Sequence, residues 1–242
     1  AHDLVKEKSG YIQAAFLVPV LAGSGCRTAT ETASEPVAGP GLSDLARRNL
    51  AVHRFSTLFT AQNVREYLST DSGIDAAIDW CRKTAVSKLY VETFRDGYQA
   101  ERATLQHAKE RFQKAGFEVS GCITPTQVGK SSTGWKNTIS CYTDLPTQAR
   151  VRAIFEYAAG LFDEIMIDDF WFTDCACPEC DAARVAKTVT IGDKTYPVAG
   201  DSWEDYRCEL MVRLSQESVL KVAKGVNPKA KGYGSHNLPN FI

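Results

Sequence analysis

The sequence predicts an α/β fold of the (β/α)8 TIM-barrel type, cut short after about five β/α units. Three observations carry this. From Phe55 onward, short apolar runs alternate with amphipathic helical stretches, the order that builds a parallel sheet covered by helices. The turn after the first run, Thr60-Ala61-Gln62-Asn63-Val64-Arg65, contains no glycine, whereas a doubly wound nucleotide fold usually places a Gly-rich phosphate loop there. Polar residues gather where several runs end: Glu92, Arg95 and Asp96; Thr124 and Thr126; Asp168 and Asp169; Ser235, His236 and Asn237. Functional groups collected at one end of successive strands are the pattern of a barrel.

The elements follow in order. Phe55 to Phe59 reads as a first strand. Asp71 to Ala85 reads as a helix, with Ile74, Ala77, Ile78 and Cys81 at helical spacing. Lys88 to Phe94 is a buried strand. Gln99 to Ala115 is a charged helix with Leu105, Ala108 and Phe112 on one face, stopped by Gly116. Phe117 to Thr124 makes a third strand. Asp144 caps a helix to Gly160 that turns Val151, Ile154, Phe155 and Ala158 inward. Glu164 to Phe172 is the fourth strand. Thr188 to Tyr196 reads as a β-hairpin turning at Gly192-Asp193. Ser202 starts a long helix to Lys224, with Asp205 as its capping-box partner. Lys229 to Gly234 is a fifth strand, and no sixth follows before Ile242.

With 242 residues, 44% of them hydrophobic, the chain has enough apolar material for one domain with a sizeable core. A net charge of -1 gives no electrostatic case for nucleic acid or for an anionic membrane surface. The N-terminus differs from the rest. Lys6 and Lys8 precede an apolar stretch from Tyr11 to Ala22, and Gly23-Ser24-Gly25-Cys26 follows. Residues 1–26 thus read as an export signal of bacterial lipoprotein type, with Cys26 as the lipidated residue. Residues 27–52 read as a flexible linker, and 53–242 as the N-terminal part of the barrel domain. The protein is expected to be exported and held at a membrane through that lipid anchor alone.

The centre of the chain carries the chemistry. Cys175, Cys177 and Cys180 fall within six residues, too close to pair comfortably as disulfides. Thiolates are good zinc ligands, and zinc takes four of them in a closed structural site. Cys141, after the third strand, is the candidate for the fourth; Cys122 and Asp174 are weaker ones. Cys81 and Cys208 on helix faces, and Cys122 in a strand, are expected to be small buried thiols.

Asp168 and Asp169 close an apolar strand, and Glu92 closes another. Adjacent strand residues face opposite sides, so one aspartate points into the mouth and the other braces a neighbour; alternation does not decide which. Paired carboxylates beside aromatic residues suit glycosidic-bond cleavage, in which one acid protonates the leaving oxygen and the other attacks or activates water. Asp168, Asp169 and Glu92 are the candidate catalytic acids. Glu92 paired to Arg95 as a buried structural ion pair is the competing reading. Arg95, Trp171, His236 and Asn237 are candidate substrate-binding residues, with Phe170, Trp171 and Phe172 as a sugar-stacking wall. Trp135, with Lys130 and Lys136 in the Gly-rich stretch Gly129 to Asn137, reads as a plain loop, with a mobile rim loop as the alternative.

At these residues the chain resembles the (β/α)8 glycoside hydrolase superfamily. Phe162-Asp163-Glu164-Ile165-Met166-Ile167-Asp168-Asp169-Phe170-Trp171 looks like the fourth strand of glycosidase-like barrels, which often read D-G-I-h-h-D-D-[FY]. Cys141 with Cys175-x-Cys177-x-x-Cys180 is similar to the structural zinc cluster of family 42 β-galactosidases. Those enzymes carry Asn-Glu where this chain has Asp168-Asp169, a difference that fits families with aspartate on strand four. The resemblance implies an oligo- or polysaccharide substrate, a structural four-thiolate zinc and a partner carboxylate from a later strand. The chain alone is then expected to be inactive on glycosides. A non-catalytic carbohydrate-binding lipoprotein and a zinc hydrolase with an open metal site are the rival readings.

Overall fold

Phe55-Ser-Thr-Leu-Phe59 has the aromatic and β-branched content that suits a pleated strand, and it opens the sheet. The computed structural model describes residues 41–52 and 54–234. Cys26, His236 and Asn237, with the signal and most of the linker, lie outside the described residues.

Helix α1 (Leu42–Arg48) leads into β1 (Phe55–Phe59), α2 (Ala61–Tyr67), α3 (Asp71–Lys83) and β2 (Val86–Arg95). Next come β3 (Tyr98–Gln99), α4 (Arg102–Lys114), β4 (Glu118–Ile123), α5 (Leu145–Ala159) and β5 (Glu164–Ile167). The remainder is α6 (Pro178–Val185), the hairpin β6 (Thr188–Ile191) and β7 (Lys194–Pro197), α7 (Trp203–Leu214), a π-helical stretch Ser215–Leu220, α8 (Lys221–Val226) and β8 (Lys231–Gly234).

The main sheet runs β1-β2-β4-β5-β8, every one of these pairs parallel, and β3 folds back antiparallel on β2. The fold-back turns on Asp96 and Gly97, both at positive φ (51° and 73°), as a tight hairpin demands. Strand order follows chain order without reversal, the expected beginning of a barrel rather than a doubly wound sheet. Among the described residues β1 and β8 end the path without pairing to each other. The parallel α/β architecture is thus formed, and among the described residues the sheet is open.

The two faces of the sheet differ. Leu89, Val91, Ile165 and Ile167 are buried in one core with Ile78, Ala108, Phe112, Val151 and Phe155 of the helices. Alternate residues point the other way. There Lys88 is ion-paired to Glu118 at 3.1 Å and to Glu164, and Ser120 donates to Glu164 at 2.7 Å. Asp168 continues the alternation of Glu164 and Met166, which places it on this polar face.

Local signals explain most helix starts. Asp144 accepts from the Thr147 N–H, and Ser202 forms its capping box with Asp205. Helix α2 goes unseen in the sequence because it is only seven residues long, yet Thr60 and Asn63 build a full capping box for it. The fourth strand stops at Ile167 rather than Phe172, because Phe170 adopts a left-handed backbone (φ 61°) that ends the pairing. Cys81 and Cys122 are buried as expected, but Cys208 is exposed. The buried side of α7 is Tyr206, Leu210 and Leu214, and Cys208 sits two residues from both of the first two, on the opposite side. No helix of the described residues is long and apolar enough to cross a membrane.

Candidate active site and metal knot

Glu92 and Arg95 are three apart, a spacing that puts side chains on opposite faces of a regular strand. Here the register of β2 against β4 slips between Glu92 and Phe94, so one extra residue is taken up. That bulge turns Arg95 back onto the side of Glu92. Glu92 is wholly buried (0% exposed). Its Oε2 accepts from the Ala61 N–H at 2.8 Å and from Arg95 Nε at 2.8 Å. Its Oε1 meets the Thr124 hydroxyl, with Cys122 Sγ 4.0 Å away. Arg95 Nη2 donates to Asp168 Oδ2 at 3.0 Å, and Thr124 Oγ1 lies 3.2 Å from the same oxygen. Burial pushes the Glu92 carboxyl above its usual range, although Arg95, Thr124 and the Ala61 N–H all pull it down. Glu92 is thus sealed from solvent with both oxygens engaged. Glu92 holds the guanidinium that grips Asp168.

Asp168 is half-buried and Asp169 is exposed. The left-handed Phe170 follows them directly. A bulky residue in that conformation is costly and persists where surrounding contacts force it, often at functional sites. Beyond it, alternation splits the aromatic run. Phe170 and Phe172 stand with Trp135, ring centroids 6.3 and 5.7 Å apart. Trp135 is 58% and Phe172 38% exposed, so the group offers an apolar platform to solvent. Trp171 faces inward, which corrects its place in the expected wall. It packs on Tyr142 and Phe155, and its indole N–H donates to Ser215 Oγ at 2.9 Å.

Cys141, Cys175, Cys177 and Cys180 are buried, and their sulfurs all lie within 4.8 Å of one another. Cys141 to Cys177 is 3.7 Å, Cys141 to Cys180 is 3.5 Å, and Cys177 to Cys180 is 3.5 Å. A tetrahedral zinc with Zn–S bonds of about 2.3 Å sets its sulfurs roughly 3.8 Å apart, so the donor set fits such an ion. The hydrogen bonds among Cys141, Cys177 and Cys180 favour the thiolate on Cys141. Hydrogen bonding from Cys180 draws Cys141 down to about 5, burial lifts Cys177 to about 11, and the contact with Cys141 raises Cys180. A divalent cation is what allows all four to ionise together. The Thr143 hydroxyl sits 3.0 Å from Cys180 Sγ and 2.6 Å from the Tyr206 hydroxyl, orienting the sulfur from behind. Cys122 lies away at Glu92. Asp174 is no ligand either: it accepts from the Ser132 hydroxyl and, at 2.7 Å, from the Trp135 N–H.

Asp174 thereby joins the knot to the platform. It precedes Cys175 and clamps the loop that carries Trp135. That clamp needs Gly134, because a Cβ there would stand 2.0 Å from Asp174 Oδ2. Gly134→Ala is expected to cost about 1–3 kcal/mol through this overlap. Its tryptophan fluorescence should shift as Trp135 leaves its neighbours. An unchanged urea midpoint and spectrum would contradict the clamp.

Residues 42–232 match the family described as "Probable glycosyl hydrolase, catalytic domain". The chain belongs to this family. It is also similar to an uncharacterized protein of Saccharolobus solfataricus, 29% identical over 171 residues, covering 65% of this chain and 28% of that protein. The chain therefore spans less than a third of that relative's length. A solved structure of a hypothetical protein from Ruminiclostridium thermocellum aligns with a TM-score of 0.45 at 13% identity, over 73% of this chain and 95% of that one.

In this glycosyl hydrolase domain the structure brings Asp168, Glu92 and Arg95 into one cluster and the four cysteines into another. Two contributors stand out only in the structure. In the sequence Thr124 is one of several polar strand-end residues and carries no further mark. Trp135 read as a plain loop, although a glycine directly before an aromatic residue in a polar stretch was the available signal.

Proposed function

We propose that this domain binds and cleaves a carbohydrate, with Asp168 as a reacting carboxylate and Asp169 beside it at the mouth. The observation that carries this is the position of Asp168: it follows a parallel strand at its C-terminal end, gripped by Arg95 and Thr124. Arg95 is partly exposed and lines the same mouth. Trp135, Phe170 and Phe172 supply a face against which the apolar side of a sugar ring stacks. Membership of the family supports the reaction class, and the four cysteines support a closed zinc site whose role is structural. Such an ion would hold Cys141 against the loop that follows β5; the residues around Asp168 do the chemistry.

The test is a titration of tryptophan fluorescence with a panel of oligosaccharides, followed by hydrolysis assays of the native-length protein. A saturable response is expected, lost in Trp135→Ala. Asp168→Asn is expected to keep binding and lower turnover roughly 10²–10⁴-fold. If no sugar in the panel produces a saturable change, the reading fails. Binding with turnover untouched by D168N would assign the domain to recognition, a role the exposed platform alone could serve.

A further inference from the structure

One hydroxyl stands between two carboxylates. Thr124 Oγ1 meets Glu92 Oε1 on one side and Asp168 Oδ2, 3.2 Å away, on the other. A threonine hydroxyl has a single proton to donate and accepts through its lone pairs. For both contacts to be hydrogen bonds, one carboxyl must bring a proton of its own. Asp168 Oδ2 already accepts from Arg95, and Glu92 Oε2 accepts from Arg95 and the Ala61 N–H. The oxygen left for the proton is Glu92 Oε1, which faces Thr124.

Charge counting gives the same placement. The groups that face Glu92 are Arg95 from its own strand, the Ala61 N–H from α2, Cys122 of β4 and Thr124 directly after it; Asp168, after β5, reaches it through Thr124 and Arg95, and Asp96 adds its charge beside Arg95. With both acids ionised, one guanidinium faces two negative charges at a site where Glu92 has no contact with water. With one acid neutral, Arg95 no longer has to satisfy both of the carboxylates it touches, and a buried cluster strongly favours that. Of the two, the partly exposed Asp168 is the easier to leave charged.

We propose that Glu92 is a neutral carboxylic acid in the folded protein and that Thr124 connects it to Asp168 as a proton path. The step balances as follows. The Oε1–H bond of Glu92 breaks and its proton passes to Thr124 Oγ1, while the hydroxyl proton of Thr124 passes to Asp168 Oδ2. Glu92 becomes the carboxylate and Asp168 the acid. Arg95 touches both, so the net charge and its counter-ion stay in place, and nothing is oxidised or reduced. Glu92 is thus a positioning and proton-holding residue that acts through Asp168. Its use in catalysis rests on the proposed reacting role of Asp168; its protonation does not.

Infrared difference spectroscopy on protein labelled with ¹³C-glutamate reads the proton directly and needs no substrate. At neutral pH the wild type is expected to show a protonated-glutamate carbonyl stretch that is absent in Glu92→Gln. In Thr124→Val the stretch should move to higher frequency, and Thr124→Ser should restore it. The threonine variants keep the assignment available even if E92Q folds poorly. Stability gives a second reading. Glutamine mimics the neutral acid, donating to Thr124 and accepting from Arg95, so E92Q should change the unfolding equilibrium constant by less than roughly tenfold. Loss of an ionised partner would change it roughly 10²-fold or more. Because the folded state retains a proton that the unfolded chain releases, the contribution of Glu92 is full below the ordinary carboxylate range. It is lost as pH rises through the raised folded value, and E92Q should remove that slope. No protonated-glutamate band at neutral pH, or one that survives E92Q, overturns the proposal. A band unmoved in T124V overturns the path. Each of these outcomes stands whether or not the protein cleaves glycosides, which the fluorescence and hydrolysis assays decide separately.

Discussion

Cys141→Ser is expected to empty the cysteine knot and cost about 3–5 kcal/mol of stability, roughly 10 °C in Tm for a domain of this size. Cys141 is the one of the four cysteines that comes from outside the loop after β5. It sits before α5, and the other three sulfurs lie at or just before α6. Removing it leaves three sulfurs on one short segment, which no longer ties two parts of the chain together. Much of the free energy of a structural metal is folding free energy, so losing the ion loosens both loops. Metal analysis of purified protein should find one zinc per chain in the wild type and close to none in the variant. Cys208→Ser, at the exposed thiol of α7, should change neither quantity. Acidification should also release the metal, because thiolates must be deprotonated to bind. Full metal content in C141S would remove Cys141 from the ligand set.

Arg95→Leu is expected to be nearly as costly, about 3–5 kcal/mol at neutral pH. The guanidinium reaches Glu92 through Nε and Asp168 through Nη2, so its loss leaves the cluster without positive charge. The cost has a defined pH dependence. Without Arg95 the folded protein holds protons on its carboxyls more tightly than the unfolded chain does. The folded-state values then lie above the unfolded ones, and stability falls as pH rises through that window. The deficit should therefore shrink on acidification, as measured by urea denaturation at about pH 5 and about pH 7. Arg95→Lys should recover little, because a single ammonium cannot span both carboxylates as the planar fork does. A deficit independent of pH would point to lost packing rather than lost charge.

How far the site was legible depended on how local its causes are. The caps of α5 and α7 are written in Asp144, Ser202 and Asp205, within three residues of the N–H groups they satisfy. The parallel strands announced themselves as short apolar runs. Four thiols were recognisable because few roles suit cysteines at that spacing, and Cys141 was found because adjacent strand ends share one rim. The union of Glu92 with Arg95 was legible as the competing ion-pair reading, but its geometry was not. Period-two reasoning puts them on opposite faces, and only the bulge in β2, a feature of its pairing with β4, brings them together. The outward wall suffered the same way. Phe170 carries no local mark of its left-handed backbone, so the strand was expected to run on and Trp171 to share the wall. Gly134 did carry a mark, but its reason lies forty residues away at Asp174.

The division of the site between two supports has a consequence for how such a protein can diversify. Asp168 and the groups that grip it are fastened to the sheet. Trp135 is fastened, through Asp174, to the knot. On the proposed reading, the machinery for breaking bonds and the surface for choosing a sugar thus stand on separate foundations. The aromatic platform can be exchanged, lengthened or re-aimed by changes in one loop while the buried acid cluster stays untouched, so new specificities are reachable without renegotiating the chemistry.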